Sequence, residues 1–286
     1  MPAKTVVAQH PSLRDDIGDL VTTRPLPGPR VEQIDPFLFL NHHGPQTYPP
    51  NNAGLPFGPH PHRGFETVTF ILEGELAHRD SAGHESVIRA GGVQWMTAGS
   101  GLVHAEVSPE TFRREGGPLE ILQLWVNLPA RLKMTRPRYV GVQAGEIPEL
   151  TADEGKAAIQ LIAGTWGGKT GPIPSQTGVF MSTIALKKGG RAGFGSLGGR
   201  NVFLYVVRGD VEVNGVAAAG QHLVQLDLEG DMVEIVALSE AFVVFGHAEP
   251  IGEPVVAHGP FVMNTRQEIA EAIADYQAGL FDAPAA

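Results

Sequence analysis

Gly58-Pro-His-Pro-His-Arg-Gly-Phe-Glu66 alternates proline with histidine just ahead of a β-rich run. His60 and His62 stand two apart. In extended chain, residues i and i+2 point to the same side. The extended state is enforced locally: Pro61 pushes His60 out of the helical region, and Pro59 and Pro61 fix their own φ. Two imidazoles therefore face one side with little freedom left to lose. Thr97-Ala-Gly-Ser-Gly-Leu-Val-His-Ala-Glu106 repeats the pattern, with His104 and Glu106 two apart after a Gly-rich turn. Two such pairs on adjacent strands can converge on one point.

The text around both pairs is β. Thr67 to Leu72 alternates along a run rich in β-branched and aromatic residues, and Glu73-Gly74 turns the chain. Val87-Ile-Arg89, Gly92-Val-Gln-Trp-Met96 and Leu119 to Val126 continue at the spacing of a sandwich or barrel. Residues 1–58 read as an arm of short strands and loops, and Pro129 to Gly155 as a linker. A second β-rich half follows, with strand candidates from Gly178 to Gly246 and turn signals at Gly209-Asp210 and Asn214-Gly215. The two halves share an outline, Phe70 to Leu76 against Leu204 to Val211, at a period of roughly 130 to 140 residues. Thr265-x-x-Glu268 is a capping box, and Ile269, Ile273 and Tyr276 recur at helical spacing. A helix of about three turns is expected there, packed on the second barrel.

Bulk composition narrows the functional classes. The chain has 286 residues, 42% apolar and 18% charged, enough for two domains with real cores. Gly 36 and Pro 23 suit many short strands and turns. The net charge of −10 leaves few cations for phosphates, so direct nucleic-acid binding is not expected. With no cysteine, disulfides, thiolate metal sites and a Cys nucleophile are excluded. Met1 to His10 lacks the pattern of a signal peptide, and no apolar run approaches about 18 residues. The expectation is a cytoplasmic protein without a membrane span.

Three neutral imidazoles and one carboxylate suit Fe(II), Mn(II), Ni(II), Cu(II) or Zn(II). The alternative for such pairs is a set of hydrogen-bonded polar residues without a metal. Four ligands on one side of an octahedral ion leave two positions open for dioxygen, water or a chelating substrate. One carboxylate leaves residual positive charge, which favours a small anionic oxygen donor.

Pro59-His-Pro-His-Arg-Gly-Phe-Glu-Thr-Val68 closely resembles the signature of the pirin family. So do Gln94 to Glu106, Leu122-Gln-Leu-Trp-Val-Asn-Leu-Pro129 and His258-Gly-Pro-Phe-Val-Met-Asn-Thr265. The resemblance covers nearly the whole chain. It implies an all-β bicupin: two facing antiparallel β-barrels of jelly-roll type, with a short C-terminal helix. The first barrel, 1–135, would carry the metal; the second, 136–286, would be metal-free and end in the helix. It further implies His60, His62, His104 and Glu106 as ligands, with iron as the usual ion. Some pirins resemble quercetin 2,3-dioxygenases, which open the flavonol heterocycle with O₂ and release carbon monoxide. Glu106 would then be both ligand and catalytic base. Other pirins act as redox-responsive regulators through protein partners, on transcription factors or metabolic enzymes. A metal-binding cupin without turnover is the third reading.

Other residues have plainer expectations. Glu66 sits where many cupins place a ligand, and is read here as a structural or outer hydrogen-bonding group. Asn41 replaces an acidic residue found in many pirins. His42 and His43 are read as surface or inter-barrel residues, and His78 and His84 as solvated residues near a hairpin turn. Trp95, Met96 and Trp125 read as core, and Gln123 has no assignable face. In the second half Gly193 to Arg200 stands where a His pair would be, which leaves His247-Ala-Glu249 without its other half.

Overall fold

The computed structural model describes residues Pro2–Phe281. It is almost entirely antiparallel β-sheet, built as two compact units. No helix among the described residues is long and apolar enough to cross a membrane.

The unit holding both histidine pairs comprises Arg14–Thr23, Phe37–Ala144 and the chain from Ile251 onward. Five adjacent strands of its larger sheet run, in spatial order, Arg138–Val142, Val93–Thr97, Phe65–Glu73, Gly117–Asn127 and Phe37–Tyr48. Its smaller sheet runs Phe57–His62, Leu102–Val107, Glu75–Asp80 and Glu85–Arg89. The strand Phe57–His62 lies at a sheet edge, the place where Pro59 and Pro61 leave no ladder donor missing. Period-two alternation explains the interior. Along Phe65–Glu73, Thr67, Thr69 and Ile71 share one face; along Gly117–Asn127, Ile121, Gln123 and Trp125 do. One end of this face is an apolar plug that includes Leu20, Ile71, Leu76, Ile88, Leu119 and Ile121. The other end is polar and meets the histidines.

The second unit comprises the chain to Leu13, Arg24–Pro36 and Gly145–Pro250. Its seven-stranded sheet starts with Val6–Pro11, followed in space by His222–Leu226, Asn201–Arg208, Ala241–Ala248, Phe180–Leu186, Ala157–Ala163 and Glu149–Ala152. A four-stranded sheet completes it: Arg191–Phe194, Val233–Ala237, Val211–Val213 and Val216–Ala218. Its core holds a large apolar cluster that includes Leu161, Ile184, Phe194, Leu204, Val206, Ile235, Val243 and Phe245.

These units divide the chain differently from a single cut at 135/136. The first strand pairs with His222–Leu226, from Val6↔Leu226 to Pro11↔His222. The buried Lys4 ammonium donates to the carbonyls of Asp227, Leu228 and Glu229. The helix Arg266–Gln277 forms, and its capping box joins Thr265 and Glu268 as the sequence predicts. Its docking differs from the expectation. It belongs to the histidine-bearing unit, where Ile269, Ala272 and Phe281 pack with Phe261, Met263 and Val103, the neighbour of His104. The physical reason is a set of anchors on that unit. Arg63 pairs with Asp275 at 2.9 Å, and Ser81 donates to the carbonyl of Phe281 at 2.6 Å. Buried Lys133 donates to the carbonyls of Gly64 and Val262.

Candidate metal centre

The edge strand Phe57–His62 pairs antiparallel with Leu102–Val107, which sets His60 opposite His104 and Leu102 opposite His62. A register shift between His104 and Glu106 brings Glu106 opposite Phe57. The three imidazoles meet: ring centroids lie 4.4 Å apart for His60–His104, 4.8 Å for His60–His62 and 4.9 Å for His62–His104. One nitrogen of each lies within 4.8 Å of the others.

Hydrogen bonds set the tautomers of two rings. His60 Nδ1 faces the carbonyl of Gly58 at 2.8 Å, and His62 Nδ1 faces that of Pro260 at 3.3 Å. A carbonyl only accepts, so each Nδ1 carries its proton and Nε2 keeps a free lone pair. His104 is 1% exposed, and neither of its ring nitrogens has a partner among the described residues. An unpaired buried polar atom costs about 1–3 kcal/mol. A cation at the cluster would satisfy it.

Burial also keeps the His62 and His104 rings neutral. Desolvation, aided by His60, pushes His62 down to about 3. Desolvation, then His62, His60 and His78, holds His104 well below the usual histidine range. The neutral imidazole is the form that binds metal. The donor set, its unpaired nitrogens and its protonation state all fit one divalent ion.

Glu106 is buried on the same strand but lies outside the three-histidine cluster. Its carboxylate accepts from Thr69 Oγ1 at 2.9 Å, from Gln94 Nε2, and from Gln123 Nε2 at 2.5 Å. Glu66 lies on the opposite face of its strand from Thr67 and Thr69, and accepts from Thr97 Oγ1 at 2.6 Å. That placement agrees with an outer hydrogen-bonding role.

Several residues sit elsewhere than expected. His78 is 0% exposed rather than solvated: its Nε2 meets Asp80 at 2.9 Å, and its ring stacks on Tyr139 at 4.1 Å. It lies 5.4 Å from the His104 ring, because the register places His78 opposite Glu106. Asp80 is shared with the half-exposed His84. His78-x-Asp80 is a third i, i+2 pair, and that spacing was the available signal. His42 and His43 are buried too, His42 against Glu120 at 2.9 Å and His43 against Thr22 at 2.8 Å. Trp95 and Met96 are core. Trp125 is partly exposed instead, 5.5 Å from His62 and stacked on Phe39 at 4.6 Å. Gln123 faces Glu106.

The second unit resolves its own His-x-Glu pair differently. Arg200 Nε donates to His247 Nδ1 at 2.7 Å, and its Nη1 reaches Glu249 at 3.3 Å. One guanidinium occupies both acceptors.

Comparison with known proteins agrees with this geometry. Residues 19–126 match the family description Pirin, and residues 181–282 match Pirin C-terminal cupin domain. A pirin-like protein of Caulobacter vibrioides is 39% identical over 282 residues, covering 98% of this chain and 99% of its own. Pirin-1 of Arabidopsis thaliana is 38% identical over 252 residues, covering 85% and 82%. The crystal structure of a quercetin 2,3-dioxygenase from Acinetobacter baumannii superposes with a TM-score of 0.93 at 33% identity, over 99% of this chain and 100% of that one. With both halves matched and relatives of 38–39% identity spanning most of the chain, the chain belongs to the pirin family.

Proposed function

We propose that the protein is an Fe(II)-dependent dioxygenase of the quercetin 2,3-dioxygenase type, with His60, His62, His104 and Glu106 as the ligands of one ion. The observation that carries the reading is His104, buried in the cluster with both ring nitrogens unpaired. A structural relative matched over 99% of this chain is a quercetin 2,3-dioxygenase by name, which supports the reaction class.

When bound, a divalent ion there supplies Lewis acidity toward a flavonol 3-hydroxyl and the redox chemistry that lets the flavonol react with O₂. The chain supplies the rest. His60, His62 and His104 would bind through imidazole nitrogens, which add no charge to the ion, so the site keeps net positive charge for an anionic oxygen. Glu106, the one carboxylate of the set, receives the hydroxyl proton. Trp125, backed by Phe39 and Phe65, offers an aromatic face to a planar substrate.

The test is metal analysis of the purified protein followed by anaerobic titration with quercetin, read in the visible, and then admission of O₂. The iron-loaded protein is expected to consume quercetin and O₂ with release of carbon monoxide. Glu106→Gln and His62→Ala are expected to abolish turnover. Undiminished turnover by metal-stripped protein would overturn the proposal.

A further inference from the structure

Glu106 is clasped by a row of three side chains that stand in register across the larger sheet. Gln123 pairs with Thr69, and Thr69 with Gln94, on three adjacent strands. Each gives one hydrogen bond to the carboxylate. Thr69 has a single hydroxyl to offer. A glutamine is ambiguous, because its amide can present either NH₂ or C=O. A carbonyl turned toward Glu106 would set acceptor against acceptor.

A second donor resolves each ambiguity. Tyr139 O–H donates to Gln94 Oε1 at 3.1 Å, and Trp125 Nε1–H donates to Gln123 Oε1 at 3.3 Å. An indole N–H can only donate. The hydroxyl of Ser86 lies 2.5 Å from that of Tyr139. With the Tyr139 proton given to Gln94, Ser86 is the donor of that pair. Both glutamine carbonyls are therefore engaged on the side away from Glu106, and both NH₂ groups face it. The arrangement has an internal symmetry. Tyr139, Met96, Thr67 and Trp125 stand in register in the neighbouring row, and the two directing aromatics flank Met96 and Thr67.

We propose that Tyr139 and Trp125 are positioning residues that lock the amide polarity of Gln94 and Gln123, and through them the orientation of Glu106 toward the three histidines. The inference rests on the reading of Glu106 as a ligand. Tyr139 offers the cleaner test, since Trp125 also touches His62.

Tyr139→Phe keeps the ring that stacks on His78 and removes only the hydroxyl. Affinity for Co(II) is measured by chelator competition, together with the visible ligand-field spectrum of the Co(II) protein; neither needs turnover. Removing a partner one step behind a metal ligand typically weakens binding about 10-fold or more. Tyr139→Phe is expected to lose about 10-fold in Co(II) affinity and to shift the spectrum, and Gln94→Leu to do the same. In the Gln94→Leu background, Tyr139→Phe is expected to add nothing. Trp125→Phe, with its Gln123→Leu counterpart, repeats the cycle at the other end should Tyr139→Phe fail to fold. A Tyr139→Phe protein with parental affinity and spectrum overturns the proposal. So does a loss of equal size that persists in the Gln94→Leu background. Glu106→Gln separates the two levels. If it leaves Co(II) affinity intact, the ligand reading fails. If it costs affinity and Tyr139→Phe does not, only the positioning role fails.

Discussion

Gly64→Ala is expected to pry the C-terminal segment off the metal-bearing unit. Gly64 follows the histidine pair at φ +88, and a Cβ there would lie 2.0 Å from the Val262 carbonyl oxygen and 2.8 Å from Met263 Sδ. Non-bonded contacts settle at about 3.5–4.0 Å, so Val262 would have to withdraw by more than about 1 Å. That breaks a connected set: Val262 N to Arg63 O at 3.0 Å, Lys133 Nζ to Val262 O at 3.0 Å, and His62 Nδ1 to Pro260 O at 3.3 Å. Three hydrogen bonds at about 1 kcal/mol each, with about 1–2 kcal/mol for an alanine in left-handed backbone, give about 4–5 kcal/mol. For a chain of this length roughly 2 °C of Tm accompanies each kcal/mol, so a drop of about 8–10 °C is expected. Calorimetry on metal-free protein measures it, and limited proteolysis across residues 251–265 reports whether the segment has lifted. Gly145→Ala, where a Cβ meets nothing within 4 Å, is the control. A Tm within about 2 °C of the parent, or a large drop with proteolysis unchanged, would refute the reasoning.

Three further outcomes are expected. In the second unit, burial and then Arg200 push His247 down to about 3. The unfolded chain thus binds the extra proton first, and the stability tied to His247 is complete above about pH 6.5 and lost progressively toward pH 3. At pH 5 that loss is about 2 kcal/mol, so the decline in unfolding free energy from pH 7 to pH 5, measured by urea titration, should be smaller in His247→Gln by that amount. Thr265→Ala removes the hydroxyl that accepts from Glu268 N and should cost about 1 kcal/mol in denaturant unfolding, with Thr265→Ser largely restoring it. A divalent metal at 100 times its Kd should stabilise the protein by about 2.7 kcal/mol. His104→Ala should abolish that stabilisation, and calorimetry with and without chelator decides.

What could be read from the residues was local. The prolines around His60 and His62 and the spacing of His104 and Glu106 are properties of a few adjacent residues, and the structure brings the three histidines together. The capping box of Thr265 and Glu268 is equally local and forms as read. The surroundings of Glu106 were not legible, because its donors come from positions 69, 94 and 123 on three strands. Gln123 becomes interpretable only once register sets it beside Thr69. His78 departs from the solvated position expected of a residue near a turn because its partner Asp80, two residues on, holds it inside. The docking of the last helix depends on contacts such as Arg63–Asp275, between residues 212 positions apart. No periodicity carries that information.

The C-terminal segment also imposes an order of events during synthesis. His62 leaves the ribosome 198 residues before Pro260, the residue whose carbonyl holds its ring. At about 5–20 residues per second, that interval is roughly 10 to 40 s. Once His104 has followed, and until Pro260 does, the nascent first barrel has its histidines but lacks the carbonyl that sets one tautomer and the helix that packs beside the His104 strand. Metal captured early meets a cage that Pro260 and the helix Arg266–Gln277 have yet to close.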